Sequence, residues 1–220
     1  MMQIHFPPNI RIRRVKPRLE GLRFQPFVNI DGEAYAKPAL NGFWRLEAEL
    51  LCASVQEHLA LSSFLTAMRA AATTLLPLPT RWLPDLRAER PLMSGGDAPE
   101  YTTDHTGFSG NPYDGFTLSA PASHRDSYID VDKPELVQLM PGHFISLGER
   151  LHQVVDVSAI DEREDRIRVS LMPGIRGDYP AGTVVVVDQL QLRCSLESAG
   201  DADLWNIPYS ELSAVFIEAF

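Results

Sequence analysis

The side chains able to do chemistry in this chain of 220 residues are scattered. Asp104, His105, His124 and Asp126 form the densest group, and carboxylates mixed with imidazoles are what a divalent metal site uses. Their spacing matches none of the patterns H-x-x-x-H, H-E-x-x-H or paired Cys and His, which bring two donors to one side of an element. The expectation is solvated loop residues, with a small hydrolase using Asp104 and His105 as the catalytic rival. His143 and His152 fall on successive apolar stretches, where an ordinary cross-strand pair is expected. Ser109, in G-F-S-G-N, misses the G-x-S-x-G turn that exposes a nucleophile, and no strand-turn-helix pattern surrounds it. Gly95-Gly96 is too short to cradle a phosphate. Cys52 and Cys194 lie in apolar runs and read as buried small hydrophobes, not as a disulfide framework. The residues therefore point to no enzyme: no catalytic, metal-ligating or cofactor-binding set and no cofactor.

Bulk composition narrows the classes further. A net charge of -9 argues against a dedicated nucleic-acid binder, whose phosphate contacts need clustered Lys and Arg. One basic run exists, Arg11, Arg13, Arg14, Lys16, Arg18 and Arg23. It reads either as a contact for an anionic partner or, more simply, as the solvated face of a strand or a contact with an acidic neighbour. The start, M-M-Q-I-H-F-P-P-N-I, lacks the charged and apolar regions of a signal peptide, and no apolar run is long enough for a membrane span. The expectation is a protein made in the cytoplasm, with no membrane partner.

The elements that would position these groups are mostly strands. Residues 9–19 alternate apolar Ile10, Ile12 and Val15 with basic neighbours, and the slip between Ile12 and Val15 predicts a bulge. Asp31-Gly32 between apolar alternations predicts a hairpin over 24–38, and Asn41-Gly42 a further turn. Trp44, Leu46, Ala48 and Leu50 alternate with Arg45, Glu47 and Glu49, the pattern of a half-buried strand. One helix follows. Ser54 and Glu57 match the capping box, and Leu61, Phe64, Leu65, Met68 and Ala72 form one apolar stripe over about five turns. That stripe, Met68 included, is core and not a cofactor box.

Residues 79–135 are rich in Pro, Gly, Ser and Asp and read as a long loop or arm, with short strands at F-T-L-S-A and S-Y-I-D-V. Its aromatic residues Tyr101, Phe108, Tyr113 and Phe116 would be the stacking groups of a rival reading, a monomeric ligand- or carbohydrate-binding module. Next come short apolar runs at 143–147, 150–157, 165–172, 183–188 and 189–197, each closed by Pro, Gly or Asp, the punctuation of an antiparallel meander. Thr183–Val187 has no polar face, which predicts cover on both sides, and D-E-R-E-D at 161–165 predicts a charged hairpin tip. L-S-A-V-F-I-E-A-F makes a last strand that must be tied into a sheet or a partner. The expected class is mainly β with one packed helix (α+β). It is an antiparallel β-sandwich or split-barrel belt domain over 1–220, with the 79–135 loop inserted between a strand-helix-strand part and the meander.

The order of these motifs resembles a known family. P-G-H-F-I-S-L-G-E-R-L-H-Q-V-V-D-V, R-V-S-L-M-P-G-I-R, P-A-G-T-V-V-V-V-D, L-Q-L-R-C-S-L-E and the closing S-A-V-F-I-E-A-F resemble the C-terminal half of siphophage distal tail proteins, and more loosely other minor tail proteins. G-F-W-R-L-E-A, a helix and L-P-L-P follow the family order in the N-terminal part. The resemblance implies a structural virion protein at the tail tip, made in the host cytoplasm. It implies a ring of identical copies, a hexamer, joining the tail tube protein to the baseplate hub protein, with the tape measure protein as a further neighbour. Genomic DNA would pass through the lumen without specific binding.

Overall fold

A computed structural model of the chain describes residues 2–21, 27–28, 34–35, 42–78, 85–86, 113, 115–134, 137–160, 165–200 and 210–220. In chain order its elements are β1 (Gln3–His5), β2 (Arg11–Glu20), β3 (Phe27–Val28), β4 (Ala34–Tyr35), β5 (Phe43–Cys52), α1 (Val55–Arg69), β6 (Thr73–Pro77), β7 (Asp85–Leu86), β8 (Thr117–Leu118) and β9 (Tyr128–Asp132). Then follow β10 (Val137–Gln138), β11 (Phe144–Leu147), β12 (Arg150–Ala159), β13 (Arg166–Met172), β14 (Val185–Val186), β15 (Gln191–Ala199) and β16 (Ser210–Glu218). The fold is mainly β with one helix, as the residue pattern predicts.

Two six-stranded sheets carry the fold. The first has the order β1-β6-β15-β16-β5-β2. Its inner face is set by strict alternation: Trp44, Leu46, Ala48, Leu50 and Cys52 of β5 are buried, as are Leu212, Ala214 and Phe216 of β16. Helix α1 covers this face with Leu61, Phe64, Leu65 and Met68. Ser54 caps it, its Oγ accepting from Glu57 N at 3.3 Å, while the Glu57 carboxylate accepts from Ala53 N at 2.6 Å, one residue further back than the predicted box. Ala71 takes φ 60, in the left-handed region, and stops the helix after 15 residues, about four turns and not five. Ala72 is buried beyond the helix end. The bulge predicted in the first long strand lies between Ile12 and Arg14. β3 pairs with β4 as a hairpin requires, Phe27 opposite Tyr35; the Asp31-Gly32 turn itself, Asn41 and Arg23 lie outside the described residues.

The second sheet, β14-β11-β12-β13-β9-β8, all but closes on itself. Thr117 bridges Val184, Leu118 N donates to Thr183 O at 2.9 Å, and Val185 N donates to Phe116 O at 2.9 Å, so the last strand meets the first. Phe116, Leu118, Ile129, Val131, Ile145, Leu147, Val154, Val169, Leu171 and Val185 fill the interior. This arrangement corrects three expectations. The meander is split: β15 leaves it and pairs with β6 and β16 of the first sheet, because its buried residues Leu192 and Cys194 belong to that core. Residues 115–134, read as part of a loop, hold the two expected short strands and form one wall of the barrel. Thr183–Val187 is covered on one side only: Val185 and Val187 point into the barrel, whereas Val184 is 60% exposed.

The last strand, β16, is tied in at the centre of the first sheet, between β15 and β5. The charged tip at 161–164 lies outside the described residues, but β12 and β13, which flank it, pair antiparallel. Because the first core closes around β5, Leu46→Ala is expected to cost about 3 kcal/mol through lost burial and a residual cavity. Urea unfolding followed by tryptophan fluorescence would measure it.

Candidate functional site

The residues weighed for chemistry do not converge. Asp104, His105, Ser109, Gly95, Gly96, Tyr101 and Phe108 lie outside the described residues. His124 and Asp126 share one exposed turn, where the bonds are made by the Asp126 carboxylate and by the main chain of His124. Asp126 accepts from Ser123 N at 2.7 Å, and His124 N donates to Asp178 at 2.9 Å. Among the described residues no group of three or more His, Cys, Asp or Glu is placed to hold a metal. The expected His143–His152 pair does not form. β11 sets Ile145 opposite His152, and each imidazole turns to a main-chain group instead: Met140 N donates to His143 Nδ1 at 3.0 Å, and His152 Nδ1 meets Pro173 O at 2.8 Å. Phe116 is 1% exposed inside the barrel and cannot stack on a ligand; Tyr113 packs partly against the same core. Cys52 and Cys194 are buried free thiols, and burial raises the pKa of both.

The chemistry that does converge is at the seam between the sheets. Period-2 alternation in β16 buries Leu212, Ala214 and Phe216 and carries the same phase to Glu218, whose carboxylate is fully buried. Trp44 N donates to its Oε2 at 3.0 Å. Arg150 of β12 donates to its Oε1 at 3.3 Å, and Arg176, beyond β13, lies 3.6 Å from the same oxygen. Arg150 also donates to Ala219 O. Both guanidiniums sit over the ring of Phe220, at 5.5 Å for Arg150 and 4.6 Å for Arg176. Trp44 completes the seam: its Nε1 donates to Leu151 O at 2.6 Å and its ring meets Phe144 edge-on at 5.6 Å. Ser146 and Gln191 exchange a pair of bonds across the same boundary, at 3.1 and 3.0 Å.

His152 borders this cluster. Its Nδ1 must carry the proton, since Pro173 O can only accept, so the buried Nε2 is left as an acceptor. Burial lowers its pKa to about 4; the bond to Pro173 opposes the shift, and the charges of Arg176 and Arg150 add to it. Burial also lowers Arg176, with Glu218 holding it up. Arg150, Arg176 and Glu218 escaped the reading of single residues. The signal that marks Glu218 is its phase: it shares the core side of β16 with Leu212, Ala214 and Phe216. Nothing local marks the two arginines, which come from other strands.

The arrangement holds charge in place and offers no reacting centre. No family model matches the chain, and no curated protein matches it significantly. Among the described residues no helix is long and apolar enough to cross a membrane.

Two outcomes follow from the seam. Glu218→Ala strands two guanidiniums and is expected to destabilise the chain by about 3–5 kcal/mol, whereas Glu47→Ala, which removes the partner of the exposed Arg18, changes stability by about 0–1 kcal/mol in the same denaturant series. His152 binds its proton less readily folded than unfolded, so its contribution is complete above pH 6.5 and is lost as pH falls towards 4. That loss is on the order of 3 kcal/mol, and His152→Gln should flatten the stability profile across that window.

Proposed function

We propose that this chain is a structural tail-tip protein of a siphophage, a distal tail protein whose copies form a ring between tail tube and baseplate hub. The observation that carries the reading is the E-A-F ending. In the sequence it is, together with the order of the motifs, the specific part of the family resemblance. In the fold its Glu218 is the buried charge that holds the two β units together, and its Phe220 lies over the two arginines. A strand ending with that role fits a rigid assembly module. Asp126 is spent on its turn and His152 on the core, which also fits. The rival binding-module reading loses Phe116 as a stacking group.

Native mass spectrometry and electron microscopy of the purified full chain test this directly. The expected result is a closed ring of six 24.5 kDa copies with an open lumen, and gold-labelled antibody at the distal end of the tail on particles that contain the protein. A stable monomer that binds an oligosaccharide or turns over an ester overturns the reading.

A further inference from the structure

Eight large apolar side chains stand exposed among the described residues, and three of them meet on one face. Tyr128 of β9, Val155 of β12 and Met172 of β13 are each about half exposed. Strand register brings them together. Ser170 pairs with Tyr128 on one side and with Asp156 on the other, and Met172 is the next outward residue of β13. Val155 is the extra residue of the β12 bulge, between Val154 and Asp156. All three lie on the outside of the barrel, because their chain neighbours Ile129, Val154 and Leu171 fill its interior. Apolar side chains clustered in this way mark a contact surface, whereas single ones do not.

A charge ladder continues the same face. Arg168 donates two bonds to Asp130, at 2.8 and 3.0 Å, and Arg166 donates to Asp132 at 2.9 Å. The Arg168 guanidinium also lies over the Tyr128 ring, 4.6 Å from its centre. Exposed ion pairs of this kind stabilise a fold little. Here they hold Tyr128 and Arg168 in one geometry, so that neither side chain loses much freedom on binding. Tyr and Arg, set beside a Met, are the residue types that dominate contacts between proteins.

The pattern of charge selects the partner. The face carries an arginine row on β13 and an aspartate row on β9, about 5 Å apart. A surface of one sign, nucleic acid included, meets as much repulsion as attraction there. A second copy of this chain does fit. A two-fold axis running along the strands, midway between β9 and β13, lays the aspartate row of one copy over the arginine row of the other. The same axis keeps every residue at its own height along the strands, so the apolar end of one face meets the apolar end of the other. An axis running across the strands would set arginine over arginine. We propose that the outer face of β9, β13 and β12 pairs with the same face of a second copy about the axis along the strands. This contact is isologous and closes at two copies, so it cannot be the contact that builds a ring. It goes beyond the ring reading and does not depend on it; where a ring forms, it joins ring to ring.

The test is sedimentation of the full chain at concentrations up to about 100 μM, the range suited to a contact with a small apolar centre. Expected is a doubling of mass, from one copy to two or from one ring to two. Met172→Lys and Tyr128→Ala touch no ion pair, and each should weaken the doubling by about tenfold or more with unchanged circular dichroism. The double variants D130R/D132R and R166D/R168D should each lose it, because each leaves two rows of like charge on the face. Mixed one to one, they should regain it as a mixed pair, the basic face of one against the acidic face of the other. A wild-type chain that never doubles overturns the proposal, and a single ring that does not pair does so while leaving the ring reading intact. A doubling that survives Met172→Lys and Tyr128→Ala also overturns it, as do folded double variants that stay apart when mixed.

Discussion

A buried carboxylate is tolerated only where cations and hydrogen bonds replace the water it has lost, and Glu218 sets that condition for this fold. Its replacements come from three places: the main chain of β5 at Trp44, a guanidinium on β12, and a second guanidinium beyond β13. None is near it in sequence. The first sheet and the barrel must therefore both be formed, and in register, before the charge is satisfied. A displacement of one strand would leave Glu218 facing apolar side chains. The Trp44 bond to Leu151 and the Ser146–Gln191 exchange lie on the same boundary and depend on the same docking.

This seam makes the two β units act as one body. Such rigidity gains little for a binding loop but suits a part whose opposite faces must stay at fixed separation.

Much of the strand content was legible. Alternation in β5 gave its faces directly, and the slip at Ile12 marked a real bulge. The helix start was readable because capping is local; its end was not, since Ala71 at positive φ is an unusual residue for a stop. The meander was misread because hydrophobic phase says which side of a strand is buried but not against which sheet. β15 has the same pattern it would have had inside the barrel. The run at Thr183–Val187 failed for a related reason: a two-residue strand beside the barrel mouth leaves Val184 exposed although its neighbours are apolar.

The sequence by itself determined the class, the faces of β5, and the start of the helix with its cap, because each of these rests on near neighbours and periodicity. Tertiary structure alone decided which strands share a sheet, that the second sheet curls towards closure, that His143 and His152 never meet, and that Arg150 and Arg176 stand over Glu218. Those outcomes depend on pairing between distant segments, and on the cost of leaving a buried charge without partners, which no short stretch of residues encodes.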